Sequence, residues 1–160
     1  MNETALLQRA QRFLSAIRHA QVLGLILERI DSTGLVLRLP YAESLIGNPA
    51  TRVLHGGTIT TLMDTACGIS TLCVLPTFEI CPTLDLRIDY MRPAEPDRDV
   101  FGFAESYRVT PHVIFTRGVA YQDDPARPVA QVMGTFMRLG KGARGEDHLQ
   151  RGIDAGEVSP

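Results

Sequence analysis

Between Gly56 and Leu75 the chain runs for twenty residues with a single charged side chain, Asp64. A run of that length, opened by His55-Gly56-Gly57, is too long for a strand and reads as a mostly buried helix over about 56–75. It is nearly long enough to span a bilayer. Five threonines, three glycines, a serine and the central aspartate dilute its hydropathy, however, and no basic flank anchors it, so the expectation is a core helix and no membrane partner. The two opening glycines leave backbone N–H groups free for an anion. A carboxylate within such a helix is costly unless hydrogen-bonded or put to use. An anion-holding helix start combined with an inward carboxylate suggests acyl transfer or hydrolysis.

What surrounds this helix limits the architecture. Residues 4–18 carry apolar side chains at 6, 7, 10, 13, 14 and 17, the stripe of an amphipathic helix capped by Asn2 or Thr4. Val22 to Arg29 and Leu35 to Leu39 bracket Asp31-Ser-Thr-Gly34 as a hairpin, and 41–54 reads as irregular with a turn at Gly47-Asn48-Pro49. Beyond Pro76 come four strands. Thr83 to Met91 alternates, with Leu84, Leu86, Ile88 and Tyr90 on one face, and 100–109, 113–121 and 129–139 follow across turn-rich breaks. Glycine-rich, charged residues 141–160 read as a disordered tail. The expected fold is α+β, a single domain over 1–140: an antiparallel curved sheet wrapped around one long central helix, the hotdog arrangement, with an extra N-terminal helix.

Several classes are excluded by composition. A net charge of −2 gives no reason to expect nucleic acid. The three cysteines, at 67, 73 and 81, lack CxxC spacing and read as core fillers of a reduced protein, neither a disulfide frame nor a metal site. The first residues lack the basic-then-apolar run of a signal peptide, so a cytoplasmic location is expected.

The stretch His55-Gly56-Gly57-Thr-Ile-Thr-Thr-Leu62-Met-Asp64-Thr-Ala66 resembles the signature of PaaI-like hotdog thioesterases, which hydrolyse acyl-coenzyme A. The likeness extends to Gly47-Asn48-Pro49 and to Thr83-Leu-Asp-Leu-Arg-Ile-Asp-Tyr-Met-Arg92-Pro-Ala94. An acid nine residues after the histidine of an HGG, in a helix followed by four strands, is a specific pattern.

The resemblance implies roles. The Gly56 N–H would hold the thioester oxygen as it gains charge, with Gly57 allowing close approach. Asn48 would add its amide, although it lies seven residues before the histidine where the family has six. Asp64 would act as general base toward water or as direct nucleophile, and Thr83 would hold the water. His55 would cap the helix or move a proton, and Arg92 would meet coenzyme A phosphates or remain solvated. No cofactor or metal is required, because the thioester is already activated. Nine helical residues put His55 and Asp64 about 180° apart around the axis and about 13 Å along it. One helix then cannot aim both at one carbonyl, which implies a homodimer sharing its sites, as in the family, with a dimer of dimers as an extension. The alternative is a non-catalytic acyl-CoA binder. A serine hydrolase is excluded because Gly68-Ile-Ser70-Thr-Leu72 lacks the second glycine of the nucleophile elbow.

Overall fold

The computed structural model describes residues 3–140; the expected tail and the candidate cap Asn2 lie outside the described residues. The amphipathic stripe folds as α1 (Glu3–Ala16), burying Leu6, Ala10 and Leu14, with Thr4 inside the helix and not at its cap. The helix stops earlier than the periodicity indicates. Ile17 adopts an extended conformation and caps a second short helix, α2 (Arg18–Val22). The first strand, expected from Val22, therefore begins only at Ile26, after Gly24 turns the chain at φ 67°. Val22 itself is 83% exposed while Leu23 is buried, so an apolar pair that looked like strand is a helix end.

β1 (Ile26–Asp31) and β2 (Gly34–Leu39) form the expected hairpin, its turn closed by the Thr33 N–H donating to Asp31 Oδ1 at 2.7 Å. The segment read as irregular contains a 3-10 turn (Glu43–Leu45) and a small ribbon of β3 (Ile46–Asn48) and β4 (Val53–Leu54). The central helix α3 spans Gly56–Val74. β5 (Thr83–Tyr90), β6 (Val100–Val109), β7 (Val113–Tyr121) and β8 (Ala130–Met137) complete one antiparallel sheet of order β1-β2-β6-β7-β8-β5.

That sheet curls around α3. Leu62, Met63, Ala66, Cys67 and Ile69 are fully buried against its inner face. The close approach depends on glycine: a Cβ on Gly102 of β6 would lie 2.9 Å from Met63 Sδ, and one on Gly118 of β7 would lie 2.8 Å from Met63 Cε. The sheet is therefore hollowed where the helix rests, and the expected hotdog arrangement is what the chain forms. The loop from α3 to β5 is tied to the end of β8. Glu79, 6% exposed, accepts from Arg138 Nη2 at 2.6 Å and from Nε at 3.1 Å.

Candidate active site

The helix start is built by its cap. His55 is the N-cap of α3, and its Nδ1 accepts the Gly57 N–H at 2.9 Å. An accepting Nδ1 puts the proton of the neutral ring on Nε2, which has no hydrogen-bond partner among the described residues. The His55 carbonyl accepts the Thr58 N–H at 3.0 Å, and the His55 N–H donates to the Leu45 carbonyl at 2.8 Å. Of the first-turn donors this leaves the Gly56 N–H without an acceptor among the described residues. Gly57 is exposed, but its N–H is held by the cap.

Gly56 opens onto a cleft of about 370 Å³ lined by Val53, Leu54, Tyr90, Met91 and Arg92 among others. Arg92 reaches it from the turn after β5: Nη1 donates to the Pro93 carbonyl at 3.3 Å and Nη2 to the Arg127 carbonyl at 3.1 Å. Its Nε is buried and has no partner among the described residues. Tyr90, which the sequence offered only as the last inward residue of a strand, is the neighbour nobody would pick from spacing. Its hydroxyl donates to the Gly56 carbonyl at 2.6 Å and lies 2.8 Å from Thr60 Oγ1. The available signal was its place at the strand end, just before Arg92-Pro93.

Two turns along the helix stands the second group. Thr83 Oγ1 donates to Asp64 Oδ1 at 2.9 Å, joining residues 19 apart in sequence. The other carboxylate oxygen has no partner among the described residues. Asp64 is half-buried, where a mostly buried helix had implied a buried carboxylate, because the sheet leaves one side of α3 uncovered. Gly57, Thr61, Asp64 and Gly68 mark that side. Thr83 meets Asp64 because β5 is bulged. Between Thr83 and Asp85 the strand gains one residue relative to β8, which reverses the alternation. Leu84, expected on the inner face, is 53% exposed, and Thr83 takes the inward place.

Asn48 does not join either group by a hydrogen bond. Its Oδ1 accepts the Ala50 N–H at 3.0 Å, and its carbonyl accepts from the Arg52 N–H at 2.8 Å, sealing the turn between β3 and β4. Its neighbour Gly47 packs directly on the His55 backbone, so the turn still borders the helix start. The candidates thus fall into two sets: Gly56, His55 and Arg92 around the helix start, and Asp64 with Thr83 farther along. The angular part of the two-subunit argument does not survive, since His55 is extended and lies outside the helical wheel. The axial part does: Gly56 and Asp64 are eight residues apart, about 12 Å of helix rise. The Gly56 N–H moreover points out of the helix start, away from Asp64.

Comparison with known proteins places the chain. The profile of the thioesterase superfamily matches residues 52–129. Medium/long-chain acyl-CoA thioesterase YigI of Salmonella typhimurium is 32% identical over 111 residues, covering 60% of this chain and 70% of that protein. A candidate esterase of Halobacterium salinarum is 37% identical over 78 residues, and the chain spans about half of it, 52%. Among solved structures, a Pseudomonas aeruginosa protein is 72% identical with a TM-score of 0.78, covering 84% of this chain and 99% of that one. The Escherichia coli PaaI protein shares the fold at a TM-score of 0.76 and 18% identity, over 86% of this chain and 96% of its own.

Proposed function

This chain belongs to the thioesterase superfamily, and from that premise we propose that it hydrolyses acyl-CoA to a free acid and coenzyme A. The observation that carries the reading is the Thr83 to Asp64 hydrogen bond of 2.9 Å, which fixes one carboxylate oxygen and leaves the other without a partner among the described residues. In the general-base route, Asp64 takes a proton from a water whose oxygen attacks the thioester carbon. The C–S bond then breaks, and the thiolate leaves and is protonated. Thr83, its proton committed to Asp64, offers lone pairs to that water. In the covalent route Asp64 attacks the thioester carbon, and the C–S bond breaks with the thiolate leaving and taking a proton. Water then cleaves the resulting mixed anhydride to the free acid and the restored Asp64 carboxylate. The Gly56 N–H stabilises the oxyanion, a contribution of about 3 kcal/mol for one such donor. Asn48 Nδ2 and His55 Nε2–H are the further donors at this end, Gly57 keeps the approach open, and the Arg92 cation attracts the phosphates of coenzyme A.

Both halves act on one carbonyl only if they come from different subunits, so the working form is a homodimer. Two features support it. The side of α3 carrying Asp64 is uncovered within the chain, and β5 is an edge strand whose Leu84, Tyr90 and Met91 neighbourhood is 53%, 50% and 58% exposed. Pairing of two β5 edges would join the sheets and bring the helices together.

The experiment is thiol release from a panel of aryl, short, medium and long acyl-CoAs without added metal or nucleotide. Medium and long chains come first, as the enterobacterial relatives are named for them. Turnover of at least one thioester is expected. Folded protein inactive on the whole panel would instead favour an acyl-CoA binder.

A further inference from the structure

We propose that Tyr90 is a positioning residue that pins the Gly56–Gly57 peptide and so braces the backbone on which the Gly56 N–H is presented; the inference rests on the thioesterase reading above. Two consecutive glycines at a helix start have more backbone freedom than any other pair, and an oxyanion donor is useful only when its direction is fixed in advance. The His55 ring holds the second peptide by taking the Gly57 N–H at 2.9 Å. The carbonyl end of that same peptide is held by the Tyr90 hydroxyl at 2.6 Å. The preceding peptide, which carries the Gly56 N–H, is held by the Thr58 N–H on the His55 carbonyl at 3.0 Å; with both peptides fixed, the backbone of Gly56 is locked between them. Thr60 completes the clasp, with Oγ1 2.8 Å from the phenol oxygen and 3.2 Å from the Gly56 carbonyl.

The same contact gives a second reason why residue 56 is glycine. A Cβ there would stand 3.2 Å from the Tyr90 hydroxyl and 3.4 Å from its ring carbon. A side chain there would press on the phenol, which would have to shift by a few tenths of an ångström and strain its bond to the Gly56 carbonyl. Tyr90 is half exposed at the mouth of the cleft and contributes little to the core, which separates a role in the site from a role in folding.

The test uses Tyr90→Phe, which keeps the ring and removes the clasp. With dimer content matched by native mass, kcat should fall roughly tenfold while KM stays within about twofold, the pattern of a lost transition-state interaction. Glycine-selective ¹⁵N labelling supplies a readout independent of turnover, since the chain has only 14 glycines. The Gly56 amide should shift in the variant, and the Gly57 N–H, which is hydrogen-bonded to His55 Nδ1 on the loosened peptide, should exchange faster with solvent. Gly56→Ala alone should lower kcat by pressing on the Tyr90 hydroxyl, and it should cost less when added to Tyr90→Phe than when added to the wild type, because the nearest atom to the new Cβ is gone. A Tyr90→Phe protein with wild-type kcat and an unmoved Gly56 amide overturns the inference while leaving the thioesterase reading intact. If the wild type cleaves no thioester, that reading fails, and the amide resonance still decides whether Tyr90 positions Gly56.

Discussion

Asp64→Asn keeps the size of the side chain and removes its basicity, so it separates chemistry from packing. The expected loss in kcat is roughly a hundredfold or more, with the fold retained by circular dichroism. Near-normal kcat would make Asp64 structural. Thr83→Ala should cost less, about tenfold, since a water can stand in for the hydroxyl that now donates to Asp64. The cysteines are poor rival nucleophiles. Burial pushes the Cys67 and Cys73 thiols up to about 12, so the thiolate is scarce at neutral pH.

The loop between α3 and β5 delivers Thr83 to the helix, and one buried ion pair holds it. Arg138→Met leaves the Glu79 carboxylate, 5% exposed at its side chain, without its bidentate partner. The expected cost is about 3 kcal/mol in urea unfolding, toward the lower end for a broken buried pair because Arg138 is 23% exposed. A loss under half that would mean the loop is secured elsewhere. Other connections depend on ionised aspartates. The Thr33 hydroxyl and then its N–H lower Asp31 in the β1–β2 turn, and Arg52 lowers Asp97 after β5. Burial pushes Asp99 up, but the Tyr41 N–H and Arg38 together outweigh it and leave it lowered. A lowered carboxylate stabilises the fold fully above its unfolded pKa, about 4, and that stability is lost as pH falls through the folded value. Tm should therefore be level from pH 7 to about 5 and drop below about 4. A Tm unchanged at pH 3 would contradict this.

At the scale of the whole molecule, a shared site has a quantitative signature. Refolding Asp64→Asn together with Gly56→Val yields mixed dimers in which one site collects both lesions and the other none. Random exchange gives half mixed dimers, so activity should recover to about a quarter of wild type, against almost none for either variant refolded alone. No recovery, with mixed dimers confirmed by mass, would put both groups in one subunit's site.

The sequence by itself determined the layers: the one-charge run from 56 to 75 had to be a core helix, and the β-rich runs after Pro76 had to be its sheet. It also singled out Gly56 and Asp64, because helix-start glycines and a lone carboxylate in an apolar run are conspicuous, while Thr83 came from the family resemblance. Only the tertiary structure decided how they meet. Periodicity assumes unbroken elements, and this chain breaks them at Ile17, where one helix becomes two, and at the bulge before Asp85, where Leu84 turns out and Thr83 turns in. Glycines escape hydropathy patterning altogether, yet Gly102 and Gly118 let α3 sink into the sheet, and Gly56 leaves room for Tyr90. A one-residue slip reverses every side chain of a strand, and a missing Cβ admits a neighbour from 34 residues away; neither carries a local mark, because both are set by what packs across the gap.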